Sequence, residues 1–89
     1  MAHASRKVRI ANDLGIHLRA AGALVQVAGR FSCEIWLERS GTRANGKSIM
    51  SVLSLAASRG VELVVVAVGD DADDAVSAVV DLIEHGFET

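Results

Sequence analysis

The chain has 89 residues, room for one hydrophobic core and no second domain, since a domain of this size hides only about 60 to 65% of the surface its unfolded chain exposes. Hydrophobic residues make up 51% and charged residues 22%, a globular composition, while the aromatics at 3% (Phe31, Trp36, Phe87) are too few for the stacking platforms that read single-stranded nucleic acids. The net charge of -2 conceals a division: residues 1–59 carry all nine Lys and Arg against three acids, a balance of +6, and residues 60–89 carry eight acids and no base.

Such asymmetry fits a basic face that meets an acidic partner or a phosphate, and it fits equally well charges interleaved by the fold. Taken in chain order, Val8 and Ile10 alternate with Lys7 and Arg9, which predicts a half-buried strand ending near Ala11, before Asn12, Asp13 and Gly15 break it. From Leu18 onward, Ala21, Leu24, Val25 and Ala28 recur at helical spacing and Gly29 closes the run, so residues 18–29 read as an amphipathic helix with His17 at its threshold. Cys33, Ile35 and Leu37 alternate with Glu34, Trp36 and Glu38, and Ser40-Gly41 turns the chain into a short strand over 42–46, a hairpin. Ser48 opens a short second helix with Ile49, Val52, Leu53 and Ala56 on one side and Gly60 as its stop.

Val61 to Val68 reads as a buried strand; it contains Glu62 and is far too short to span a membrane. Gly69 turns, and Asp70 to Asp74 form the acidic first turn of a last helix carrying Ala72, Ala75, Val76, Val79, Leu82 and Ile83. The order β-α-β-β-α-β-α predicts a single α+β domain over residues 1–89, with three helices on one face of a largely antiparallel four-stranded sheet. If Leu63, Val65 and Ala67 face the helices, Val64, Val66, Val68 and Trp36 fall on the open face, an apolar patch suited to a second copy or a partner. The N-terminal stretch has no apolar h-region, so cytoplasmic residence and no membrane insertion are expected.

Gly41-x4-Gly46-Lys47-Ser48 matches the P-loop pattern, but a P-loop follows a buried strand and opens a substantial helix in a parallel sheet, whereas Gly41 stands at a hairpin tip. The acidic run lacks the spacing and glycine of an EF-hand. Cys33 is the only cysteine, which excludes an internal disulfide and marks a small buried hydrophobe, and neither His3 nor His85 has ligand-spaced company; no metal and no cofactor are expected. His17 differs, because the first amides of a helix donate outward beside it, and Arg19 follows. A helix N-terminus repels a cation, which suits a neutral imidazole nucleophile, and the same amides with the Arg19 guanidinium suit a phosphoryl group carried on the ring. The pattern also fits a histidine that only caps the helix.

The run Gly15-Ile16-His17-Leu18-Arg19-Ala20-Ala21, with Lys47-Ser48-Ile49-Met50 about thirty residues later, resembles HPr, the histidine-containing phosphocarrier family of the bacterial phosphotransferase system. Agreement extends over nearly the whole chain, including Leu24-Val25-Gln26, Ser40-Gly41, Leu53-Ser54-Leu55, Gly60 and Gly69-Asp70, and the element order read above fits the family's open-faced β-sandwich. The resemblance implies that His17 accepts phosphate on Nδ1 from phosphoenolpyruvate by way of enzyme I and passes it to EIIA-type acceptors, with Arg19 assisting. It implies that Ser48 is the target of an HPr kinase/phosphorylase, and that Leu18, Ile49, Met50 and Leu53 contact partners. Two departures stand out: Ala20 replaces the proline that usually follows the arginine, and Ala56 replaces a common glycine. A nitrogen-branch paralogue with regulatory partners would share the same histidine, and a non-catalytic α+β interaction module would use it only as a cap.

Overall fold

The computed structural model describes residues 2–88. Four strands, β1 (His3–Arg9), β2 (Glu34–Arg39), β3 (Thr42–Asn45) and β4 (Glu62–Val68), form one sheet in the order β1-β4-β2-β3, every pair antiparallel. Three helices, α1 (Leu18–Ala28), α2 (Ile49–Leu53) and α3 (Ala72–Glu84), complete the predicted order. The register places Val8 opposite Leu63, Leu37 opposite Val65 and Ala44, and Ile35 opposite Ala67. These side chains are buried with Leu24, Val52, Val79 and Ile83 from the helices in one core. A slip of one residue would turn every one of them to the open face, so burial fixes the register.

The β2–β3 hairpin closes through Ser40 at φ +47° and Gly41 at φ +86°, the two left-handed residues of a two-residue turn whose twist matches the strands. Gly41 thus ends a hairpin, and the helix after Ser48 spans five residues, so neither half of a P-loop is present. β1 begins earlier than the alternation at Val8 predicts and stops at Arg9. Its polar stretch is extended because β4 pairs along all of it, and inward-facing Arg6 donates to Ser77 Oγ on α3 at 3.1 Å.

The expected extent of α2 is corrected as well: it ends at Leu53 with Ser54 as its C-cap, and does not run on to Gly60. Leu55 and Ala56 make tight turns back to Val52 and Leu53, and Ala56 then adopts φ +49°, which throws the chain out of the helix. Gly60 instead bonds to the residue just after β1, donating to Ile10 O at 2.9 Å. The open face also departs from the bare patch expected. Trp36 lies directly across from Val66, with Arg43 4.4 Å over its ring, and Val66 is buried while Val64, Val68 and Trp36 are half-buried.

Candidate functional site

Immediately before α1 the chain makes a tight loop that leaves His17 as N-cap. Gly15 takes φ +66°, and a Cβ there would lie 2.5 Å from Ala57 O and 2.8 Å from Ser58 Cα, so the loop lies on the turn after α2 at a distance only glycine allows. Asn12 fastens the near side: its backbone carbonyl accepts from Gly15 N at 3.2 Å and its Nδ2 donates to Gly15 O at 2.8 Å. Ile16 N donates to Ala57 O at 2.9 Å. His17 itself is extended, φ -89° and ψ -179°, and its Nδ1 accepts from Arg19 N at 3.2 Å and from Ala20 N at 3.4 Å. The lone pair of Nδ1 is therefore engaged by the helix amides, the donors an anion would also use.

His17 and Arg19 open on a cleft of about 620 Å³ that Asn12, Leu14, Phe87 and Glu88 help to line. The Arg19 guanidinium has no hydrogen bond or ion pair among the described residues, so it is free to meet an incoming anion. Ala20 contributes one of the two amides on Nδ1. An acceptor nitrogen, two backbone donors and an unengaged guanidinium are together suited to receiving a phosphoryl group.

Ser48 caps α2, its Oγ accepting from Ser51 N at 3.3 Å, while Ser51 Oγ accepts from Asn45 N at 2.8 Å. α1 packs against α2. Leu18, Ile49 and Met50 are exposed at 67%, 38% and 76% respectively, Leu53 is half-buried, and Leu14 beside the His17 loop is exposed at 78%. Sequence reasoning missed Leu14 and Asn12, as well as the C-terminal turn of Phe87 and Glu88. Leu14 sits in a polar turn with no period to mark it, and only tertiary folding brings the C-terminus to His17.

The basic face anticipated from the charge division is mostly dispersed. Arg9 pairs with Glu62, Arg43 with Glu38 and Arg59 with Asp13; Arg39 and Lys47 donate to backbone carbonyls. Of the acidic run, Asp73 and Asp74 occupy the first turn of α3 as predicted. Asp71 does something else: it accepts from Ser32 N at 2.8 Å and Cys33 N at 3.0 Å, tying α3 to the start of β2. Chiefly the Ser32 amide holds its carboxyl below the ordinary range. Cys33 is buried in the core, and burial, foremost, with the neighbouring Asp71 pushes its thiol up, which disfavours the thiolate. No metal-ligating cluster exists among the described residues, and no helix described is long and apolar enough to cross a membrane.

A family described as the PTS HPr component phosphorylation site matches residues 4–85. The phosphocarrier protein HPr of Pseudomonas putida is 41% identical over 85 residues, covering 94% of this chain and 94% of that protein. That of Treponema pallidum is 43% identical over 83 residues, covering 93% and 94%. Among solved structures, an HPr from Thermoanaerobacter tengcongensis superposes with a TM-score of 0.90 at 42% identity, covering 94% of each chain. Its relatives are named phosphocarriers, proteins that bear a phosphoryl group rather than turn over a substrate. With the fold matched over 94% of each chain and the family match running through the thresholds of α1 and α2, the chain belongs to the HPr family of phosphotransferase-system phosphocarriers.

Proposed function

We propose that this chain is a single phosphocarrier domain working in the cytoplasm, which takes a phosphoryl group from phosphoenolpyruvate by way of enzyme I onto His17 and delivers it to EIIA-type acceptors. The observation that carries this reading is the approach of the Arg19 and Ala20 amides to His17 Nδ1. In the transfer the bond from phosphorus to the donor atom of enzyme I breaks, leaving its electron pair on that atom, as the Nδ1 lone pair forms a new bond to phosphorus and the ring proton stays on Nε2. The amides then pass from the nitrogen lone pair to the phosphoryl oxygens, and the Arg19 guanidinium takes up charge that spreads over those oxygens in a loose transition state.

Leu18, Ile49, Met50 and the half-buried Leu53 serve as the docking surface, an apolar set beside the charged cleft. Ser48 serves as a regulatory site for an HPr kinase/phosphorylase: a phosphate there sits at the helix N-terminus and among the docking side chains, where it repels an acidic partner. The test is incubation with enzyme I and phosphoenolpyruvate. The parent chain is expected to gain one acid-labile phosphate and His17→Ala none, with His3 and His85 unable to substitute. Phosphate retained on His17→Ala would overturn the assignment.

A further inference from the structure

Arg39 ends β2, on the hairpin side of the sheet, yet its guanidinium is committed to backbone that supports the His17 loop. Its Nη1 donates to Leu55 O at 2.7 Å and to Ala56 O at 2.9 Å. Both carbonyls belong to the turn after α2, where Ala56 is exposed and held at φ +49°, a left-handed conformation that a Cβ disfavours. Leu55 and Ala57 on either side are buried, so the turn is held by two apolar side chains and one guanidinium. The next carbonyl, Ala57 O, accepts from Ile16 N at 2.9 Å and is the atom on which Gly15 rests. One continuous path of contacts thus runs from Arg39 through the 55–57 turn to the residue before His17.

Resting on the reading of His17 as phosphoryl acceptor, we propose that Arg39 is a positioning residue for that reaction. By holding the strained 55–57 turn it fixes the Ala57 carbonyl, and the Ala57 carbonyl fixes the Gly15–His17 backbone and with it the aim of Nδ1. Arg39 has no carboxylate partner among the described residues; it serves as a fixed donor to two adjacent carbonyls, a task for which a planar guanidinium loses less freedom than an ammonium. An attacking atom moved by about 1 Å can cost on the order of 10²-fold in rate, so support this far from the chemistry is felt at it.

The experiment compares the parent with Arg39→Ala, Arg39→Lys and Arg39→Gln at a temperature where circular dichroism finds each folded. Arg39→Ala is expected to lose about ten- to a hundredfold in the maximal rate of phosphorylation by enzyme I. Its half-saturating concentration should stay put, because Leu18, Ile49 and Met50 are untouched, and Arg39→Lys should recover part of the rate. In the unphosphorylated Arg39→Ala variant the Ile16 amide should exchange faster with deuterium and the His17 Nδ1 resonance should shift. Those two readings need no enzyme I, so a failure of His17 to accept phosphate is distinguishable from a failure of the coupling. A folded variant with parental maximal rate and parental Ile16 protection overturns the proposal, as does a lowered Tm with no change at Ile16 or His17. Should Arg39→Ala not fold, Arg39→Gln is judged by the same criteria.

Discussion

Gly15 and Ala56 share a sign of φ, yet they call for opposite substitutions. At Ala56, exposed at φ +49°, the left-handed backbone costs a residue with a Cβ about 1 to 2 kcal/mol. Glycine relieves that cost but frees the unfolded chain by about 0.4 to 1 kcal/mol. The first effect wins, so Ala56→Gly is expected to stabilise the domain by about 0.5 to 1 kcal/mol in a urea titration. At Gly15 the same strain is joined by the clash with Ala57 O, and Gly15→Ala is expected to cost about 2 to 4 kcal/mol. His17 as a helix cap and Arg19 beside it were legible in the sequence, since a threshold residue is marked by the helix that follows. The left-handed turn at Ala56 was not, because the helical spacing of Ile49, Val52 and Leu53 runs on through it, while the contacts around it are tertiary: Arg39 on the Leu55 and Ala56 carbonyls and Ile16 on that of Ala57.

The elements were legible wherever period and breaker agreed, as in α1 between His17 and Gly29. They were misjudged where the period outlasted the element: Ala56 continues the helical spacing of Ile49, Val52 and Leu53, but its backbone is taken by tertiary contacts. At the other end of α2, Ser48 is a cap as read. Aspartate caps about as well as serine, so Ser48→Asp is expected to leave stability within about 0.5 kcal/mol. Phosphorylation by enzyme I should nevertheless slow, through charge placed beside Ile49 and Met50; unchanged kinetics would reduce Ser48 to a cap. In α3 the structural carboxylate is Asp71, whose folded-state pKa lies below its ordinary value of 3.8. A depressed carboxylate contributes stability that is fully present above the unfolded-state value and lost as pH falls through the folded one. Asp71→Asn should therefore be less stable than the parent at neutral pH, with the gap narrowing only below about pH 3.8, in denaturation curves measured across acid pH.

For the molecule as a whole, alternation along β4 gave the two faces of the sheet correctly but could not foretell how the open face covers itself. Trp36 donates from Nε1 to Glu34 and lies under Arg43, which also pairs with Glu38, so a line of charged side chains shields the valines between strands. Cation–aromatic contact at an exposed site contributes about 0.5 to 1 kcal/mol. Arg43→Ala is expected to destabilise by that amount and to move Trp36 fluorescence toward the red as water reaches the ring. The same interleaving explains why the division of charge along the chain did not become a division of the surface: Arg9, Arg43 and Arg59 are drawn to acids that the fold, not the sequence, sets beside them.

The two amides on His17 Nδ1 bear on the thermodynamics of relay. A carrier that bound its cargo through donors otherwise idle would gain those interactions on loading, and would hold the group as a sink. With His17 as the proposed acceptor, the two amides are occupied before loading by the nitrogen lone pair, so for them loading exchanges one acceptor for another, and the Arg19 guanidinium is the one donor newly engaged. The phosphoryl-transfer potential of the loaded protein should accordingly fall below that of free phosphoimidazole only by what Arg19 contributes, so that the group moves downhill only as far as its next recipient pulls it and the flow can run backward when that recipient is full.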